Sequence, residues 1–381
     1  MIRKRRTQKA ENSKYFDYSL LFLIIFLVGF GLVMLYSVSS YEAQSQFGDS
    51  AFYLKKQLSA VVLGLIAMFV VSGIDYHVWQ KFSLPLYGVA FLLCLAVIFV
   101  GEDFNGSKRW LNIGGISLQP SELAKVGIII FVAALLCKTA KQMGKLSNII
   151  KVLCFAAPIV LVIAVSNLST AIIVAGVAFI MVFVVSPKYK PFIGMFVLAA
   201  VGVVAVTVVQ GSYRATRIVA WLHPEQYPDD AYQTLQGLYA IGSGGLFGKG
   251  LGASMQKLGY VPEAQNDMIF TIICEELGLF GAICVIALFV LMIWRFMVIA
   301  NNAADLYGSL LVVGIMAHIS LQVLLNIAVV TNTIPNTGIT LPFISYGGTS
   351  VAILLTEMGL ALSVSRGIRF DEAKQTESAA R

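Results

Sequence analysis

The stretch Tyr260-Val-Pro-Glu-Ala-Gln-Asn-Asp-Met-Ile-Phe270 closes the one long polar segment of this chain, which begins near Gln210, and opens an apolar run that continues to residue 294. That junction decides the fold. A helix of roughly 20 apolar residues crosses a bilayer core about 30 Å thick, and the run after Asp267 has that length and composition. Asp267 therefore stands at the lip of a membrane helix, beside a large polar loop.

Working outward, comparable runs occupy 17–38, 55–73, 82–101, 120–137, 150–166, 168–186, 191–210, 268–294, 306–330 and 345–366. They predict an all-α polytopic membrane protein of ten transmembrane helices, with a large extracellular loop at about 211–267 between helices 7 and 8. The chain is 58% hydrophobic and 12% charged, where a soluble domain carries about 25% charged residues. A β-barrel would show short alternating segments instead. The reading gives one membrane domain, 17–366, between a tail at 1–16 and another at 367–381.

Basic residues orient the bundle, because lysine and arginine accumulate on the cytoplasmic side. With the N-terminus inside, eighteen of the 27 fall in inner segments, among them Lys138, Lys188, Arg295 and Arg366. Eight fall outside, and Lys125 lies within a span. Both termini are thus expected in the cytoplasm and the long loop outside. Arg3-Lys-Arg-Arg6 reads as a topology anchor drawn to anionic lipid, so no nucleic-acid partner is expected. It does not read as a cleavable signal, since the apolar run after it is too long and lacks a small-residue cleavage site. The five cysteines lie in or beside spans without CxxC spacing, which argues for core packing rather than a disulfide or metal-thiolate framework.

Prolines mark the irregular places. Pro120 suits the first turn of a helix, and Pro158 is expected to kink span five. Pro335 and Pro342 bracket Asn336-Thr-Gly-Ile-Thr-Leu341, too interrupted for a helix. Such backbone is tolerated at membrane depth only where it lines a cavity or is buried in protein, so this segment is expected to fold back into an outer vestibule.

Several side chains could carry chemistry. In Ser107-Lys-Arg-Trp-Leu-Asn-Ile-Gly-Gly-Ile-Ser-Leu-Gln-Pro-Ser-Glu-Leu-Ala-Lys125, Glu122 and Lys125 are spaced i, i+3 and can pair on one helical face. They are either a mutual ion pair at a helix start or, with Arg109, the wall of an anionic-substrate pocket. Arg214 and Arg217 would project along one face, where a guanidinium fork suits phosphate, or they are ordinary surface charge. Ile241-Gly-Ser-Gly-Gly-Leu-Phe-Gly-Lys-Gly-Leu-Gly252 is not a nucleotide loop, because the Walker spacing puts Ser243 and Gly250 where Gly and Ser or Thr belong. No nucleotide cofactor is expected. These glycines read as tight turns and close backbone approach, for instance to a headgroup.

Asp267 could simply cap the helix behind it. Alternatively, Thr271, Cys274, Glu275 and Gly278 continue its face as a polar, small-residue stripe that suggests a groove, while Glu276 points oppositely. There Asp267 could serve as general base or bind a divalent cation, Mg²⁺ or Mn²⁺. His318, Gln322 and Asn326 share one stripe of span nine and are expected to hydrogen-bond between helices. Glu357 in span ten needs a partner.

Together Lys108-Arg-Trp110, Gln119-Pro-Ser-Glu-Leu-Ala-Lys125, Ala240-Ile-Gly-Ser-Gly-Gly-Leu246, Pro262-Glu-Ala-Gln-Asn-Asp-Met-Ile-Phe270, Glu275-Glu-Leu-Gly278 and Pro335-Asn-Thr-Gly-Ile-Thr-Leu-Pro-Phe-Ile-Ser-Tyr-Gly-Gly348 resemble the SEDS proteins, the shape, elongation, division and sporulation membrane glycosyltransferases. The resemblance spans essentially the whole chain, in order. Within the family, Gly252-Ala-Ser-Met-Gln-Lys257 is more similar to the division type, FtsW, or its sporulation relative than to the elongation type, RodA. It implies a ten-helix fold and polymerisation of lipid II, in which the C4 hydroxyl of one disaccharide attacks the anomeric carbon of another and undecaprenyl diphosphate leaves. It implies Asp267 as the essential acid, with Arg109, Glu122 and Lys125 as functional partners, and Glu275 and Ser345 join the substrate-binding set. It also implies a class B penicillin-binding protein as partner, alongside other cell-wall synthesis proteins. Two positions depart from the family pattern. Gln265-Asn266 stands where His-Thr is frequent, and Asn167-Leu-Ser-Thr170 lacks an acid common there. A transporter of a lipid-linked precursor is the rival reading, and it predicts essential charges near the midplane.

Overall fold

A computed structural model describes residues 15–104, 107–114, 116–195, 197, 201, 219–229 and 231–368. Its helices are α1 (Tyr18–Phe47), α2 (Phe52–Gly73), the short α3 (His77–Lys81), α4 (Ser83–Val100), α5 (Pro120–Thr139), α6 (Leu146–Ser166) and α7 (Leu168–Val185). The long polar segment contains α8 (Tyr232–Gly244), and after it come α9 (Ile269–Asn302), α10 (Leu306–Val330) and α11 (Thr349–Arg366). Among the described residues, eight helices are long and apolar enough to cross a membrane: α1, α2, α4, α5, α6, α7, α9 and α10. The tenth expected span, 345–366, is present as α11 but carries too many small and polar residues to register by hydropathy, including Glu357. The span expected at 191–210 falls largely outside the described residues, as do Arg214 and Arg217.

Burial sorts these helices. On α1, α2 and α9 the exposed face is apolar: Phe22, Phe26, Leu63, Ile66, Ile283 and Val290 all lie open, as lipid-facing side chains do. In contrast, α5, α10 and α11 are buried over most of their length and form the centre. Small residues permit the close crossings. A Cβ on Gly64 of α2 would lie 2.9 Å from Ala352 Cα, and one on Gly359 of α11 would lie 2.6 Å from Met68 O. That is the small-residue packing by which membrane helices approach one another.

Both described ends lie on one face of the bundle. The Asp17 amide donates to Ser365 Oγ at 3.3 Å, and Arg295 Nη2 meets Asp17 Oδ2 at 2.6 Å. Asp17 also caps α1 by accepting from Leu20 N.

The connection 102–118 differs from the all-helical expectation. It is a three-stranded antiparallel ribbon, β1 (Glu102–Phe104), β2 (Ser107–Ile113) and β3 (Ile116–Leu118), with Leu111 opposite Leu118. The Gly114-Gly115 pair between β2 and β3 is a hairpin signal in plain sight. Elsewhere α6 runs continuously through Pro158, and Pro120 occupies the first turn of α5 as expected. The cysteines are not uniformly core: Cys94 and Cys274 are buried, but Cys154 and Cys284 are exposed on helix surfaces.

The largest departure is in α9, expected as an uninterrupted helix. Gly278 sits at φ 68°, ψ −168°, so the helix breaks there. The piece before the break is enclosed by protein on nearly every side, and the lipid-exposed pattern starts only at Leu279 and Phe280.

Candidate active site

Segment 331–348 is irregular, as its prolines predict, and it reaches into the bundle. A Cβ on Gly31, in the middle of α1, would meet Phe343 O at 2.5 Å, which shows how deep the segment descends. Its backbone carbonyls are bound by side chains of the surrounding helices. Asn326 Nδ2 donates to Ile339 O at 2.7 Å, Gln322 Nε2 to Thr340 O at 3.0 Å, and Ser169 Oγ to Thr337 O at 2.8 Å. Gln57 Nε2 donates to Ser345 O, and its Oε1 accepts from the amides of Gly347 and Gly348. The polar stripe of α10 therefore holds a re-entrant backbone, rather than only bridging helices.

The same stripe connects two of the expected site groups. Besides Ile339 O, Asn326 Nδ2 donates to the backbone carbonyl of Asp267 at 2.8 Å. One turn away, Gln322 Oε1 accepts from Lys125 Nζ at 3.2 Å, and Lys125 pairs with Glu122 at 3.0 Å. A helical turn is about 5.4 Å, so the acid and the buried cation attach to neighbouring rungs of one helix. Lys125 is only 3% exposed, which makes its two partners decisive.

Asp267 is not the N-cap of α9. That helix begins at Ile269, its cap position is Met268, and no side chain caps it. The Asp267 carboxylate, 8% exposed, instead accepts from Gln233 Nε2 of α8 at 3.4 Å, and Oδ2 lies 3.8 Å from where a Cβ on Gly338 would be. Asn336 Nδ2 fixes Gln233 by donating to its Oε1 at 2.6 Å. The acid is thus enclosed by α8 on one side and the re-entrant segment on the other.

Glu122, Gln322, Thr340, Ser345 and Tyr346 line one cleft. The Ser345 hydroxyl accepts from the Leu341 amide at 2.8 Å and holds the turn at the cleft wall. Arg109 lies in a second, smaller pocket with Gln119, Ser121 and Asn167, and its Nε donates to Ser166 O at 3.3 Å.

Glu275 corrects the groove expectation. Its side chain is fully buried and accepts from Lys249 Nζ at 2.7 Å, from the Ser254 hydroxyl, and from the amides of Met255 and Gln256. Glu276 is equally buried, with Lys257 Nζ at 2.8 Å and Ser37 Oγ at 2.8 Å. Neither acid lines an open groove, because the glycine-rich loop folds over them. Two adjacent glutamates in an apolar run, facing a loop with two lysines, were the signal for this clamp, since buried charges pair.

Backbone contacts complete the clamp. Lys249 N and Gly250 N donate to the carbonyls of Glu275 and Glu276, while Leu279 N and Phe280 N donate to Gly245 and Leu246. The loop glycines do permit close approach, but to this chain's own helix. A Cβ on Gly248, at φ 78°, would lie 2.2 Å from Glu276 O. Gly248→Ala is therefore expected to destabilise the loop by about 3 kcal/mol. The readout is a lowered thermal midpoint with new protease cleavage between 245 and 258; an unchanged midpoint and digest would refute the close packing.

Among the described residues, no group of three or more His, Cys, Asp or Glu side chains is arranged to hold a metal. A lone carboxylate suits Mg²⁺ only when substrate phosphate supplies further oxygens.

A family profile described as cell cycle protein, covering FtsW, RodA and SpoVE, matches residues 18–369. Stage V sporulation protein E of Bacillus subtilis is 40% identical over 359 residues, covering 93% of this chain and 98% of the relative. A probable peptidoglycan glycosyltransferase FtsW of a Geobacter species is 38% identical over 362 residues, covering 93% and 98%. Among solved structures, a chain of a peptidoglycan synthase complex that coordinates polymerization and crosslinking superposes with TM-score 0.76 at 26% identity, covering 93% of this chain and 99% of that one. The crystal structure of the rod shape determining protein RodA of Thermus thermophilus gives TM-score 0.67 at 26% identity, covering 93% and 98%. With a profile match over nearly its whole length, this multi-pass membrane protein belongs to the FtsW, RodA and SpoVE family of cell cycle proteins.

Proposed function

We propose that the chain is a peptidoglycan glycosyltransferase that polymerises lipid II, acting in septum synthesis or its sporulation counterpart. The acceptor's C4 hydroxyl attacks the anomeric carbon of the donor. A β-1,4 bond forms, the bond to undecaprenyl diphosphate breaks, and the hydroxyl proton passes to a base. Asp267 is that base. Lys125 and Arg109 offset the charge of the departing diphosphate, and Glu122 orients Lys125. Arg214 and Arg217, outside the described residues, are assigned to headgroup phosphate on sequence grounds alone. The observation that carries this reading is the attachment of Asp267 and Lys125 to Asn326 and Gln322, adjacent rungs of α10, around one re-entrant backbone.

The site is assigned to the outer face of the bacterial cell membrane, with both termini cytoplasmic, from the distribution of basic residues. A class B penicillin-binding protein is the proposed partner, in line with the synthase complex whose chain this fold matches. A divalent cation, if used, would be shared between Asp267 and the substrate's diphosphate, lending charge neutralisation there. No nucleotide is required, since the diphosphate leaving group supplies the driving force.

The purified protein with its partner is expected to convert lipid II into glycan strands, read by gel after cleaving the lipid. Translocation of labelled lipid without any glycan would replace this reading with the transporter. Omitting and restoring Mg²⁺ or Mn²⁺ in the same assay tests the shared cation.

A further inference from the structure

The polar chain does not end at Gln322. His318, one turn further along α10, directs Nε2 to Gln322 Oε1 at 2.9 Å, and its Nδ1 lies 2.9 Å from both carboxylate oxygens of Glu357 on α11. Both residues are sealed from solvent, at 1% exposure each. The sequence of contacts is therefore Glu357, His318, Gln322, Lys125 and Glu122, linking the bundle centre to the cleft.

Donor and acceptor counting fixes the protons in this chain. Gln322 Nε2 donates to Thr340 O, so Oε1 faces both Lys125 Nζ and His318 Nε2. The opposite amide orientation would set an NH₂ against an ammonium and a carbonyl against a carbonyl. A carbonyl offers no hydrogen, so His318 must carry its proton on Nε2. A second proton must lie between Nδ1 and Glu357, on either group, because an unprotonated ring nitrogen beside a carboxylate would be two acceptors in contact. Water cannot substitute in so closed a place, and buried networks of this kind are rigid when every member is satisfied. At the other end, Glu122 and Gln322, which both line the cleft, take two of the three N–H bonds of Lys125, and among the described residues the third has no partner.

We infer that Glu357 and His318 are positioning residues for Lys125: by holding His318 protonated on Nε2 they lock Gln322, and Gln322 aims the free N–H of Lys125 into the cleft. This rests on the glycosyltransferase reading, in which that N–H meets the donor diphosphate.

Glu357→Met and Glu357→Gln test it as a pair. Methionine removes the partner of Nδ1 and frees the ring to move its proton off Nε2. Glutamine can donate to Nδ1 and so preserves Nε2–H. In lipid II polymerisation, Glu357→Met is expected to lower kcat by about tenfold or more with KM changed less than about twofold, and Glu357→Gln to restore kcat to within about twofold of wild type. In a Lys125→Met background, Glu357→Met should add nothing, since both act through one group. A merely structural role predicts multiplied losses instead.

A second readout needs no turnover. The chain has three histidines, so ¹⁵N-histidine spectra of the full-length protein are assignable to His318 by comparison with His318→Gln. Nε2 should be protonated in wild type and in Glu357→Gln, and Lys125→Met should shift its resonance. A bare Nε2 in wild type, or full activity in Glu357→Met, overturns the positioning role while leaving the glycosyltransferase intact. A wild type inert towards lipid II overturns the glycosyltransferase and with it the purpose given to Lys125.

Discussion

Asp267→Asn is expected to lower glycan polymerisation by roughly 10²- to 10⁴-fold, the range that a positioned general base contributes, while leaving the protein folded. The substitution changes one oxygen for an amide of the same shape. The backbone carbonyl of Asp267 keeps its bond from Asn326, so the junction between the long polar loop and α9 retains its anchor. What disappears is the ability to take a proton from the attacking hydroxyl. Gln233 makes the position exacting, because its amide is oriented by Asn336 and directs Nε2 towards Pro262 O at 3.1 Å and Asp267 Oδ1. The measurement is the initial rate with purified lipid II and the transpeptidase partner, next to the thermal midpoint of each variant. A rate within about threefold of wild type, at unchanged midpoint, would remove Asp267 from the chemistry.

Much of this architecture was legible because hydropathy reports residues that face lipid. The ninth predicted span, 306–330, coincides with α10, and α7 ends within a residue of expectation. Where a helix leaves the bilayer, that signal stops informing. Thus α1 continues to Phe47 through Ser39, Ser40 and Glu42, beyond the predicted 38, because helical hydrogen bonding does not require apolar side chains. The break at Gly278 was illegible for a different reason. Its cause is the backbone of Gly245–Gly250, more than 25 residues away, and a single glycine in an apolar run carries no mark of its partner. The candidate site divides the same way. Glu122 with Lys125 follows from i, i+3 spacing alone, and the re-entrant segment follows from its prolines. The groove expectation for Glu275 requires a straight helix with an open face, and the break at Gly278 lets the glycine-rich loop fold over that face. The charges of Lys249 and Lys257 contained the correction, but only pairing in three dimensions assigns each to its glutamate.

Glu276→Gln and Lys257→Met are each expected to destabilise the protein by about 3–5 kcal/mol, and the combination Glu276→Leu with Lys257→Met to recover most of that loss. The reasoning is asymmetric. Two opposite charges taken out of water together gain little over a well-packed apolar pair, because their attraction largely repays desolvation. One charge left alone there keeps the full desolvation cost. Glu276 is fully buried and Lys257 nearly so, with Ser37 Oγ of α1 bonded to both side chains and the Ser254 amide directed at Glu276. After Glu276→Gln the ammonium of Lys257 must reach solvent, which it can do only by lifting the loop from the Gly278 break. That movement would release the buried first piece of α9, and Asp267 lies two residues before its start. Activity should therefore fall in the single variants even though neither residue touches the cleft, and return with stability in the double variant. Thermal midpoint in detergent, protease sensitivity of 245–258 and polymerisation rate should move together across the three proteins. If the double variant is as unstable as the singles, the contribution of the pair lies in side-chain packing and not in charge.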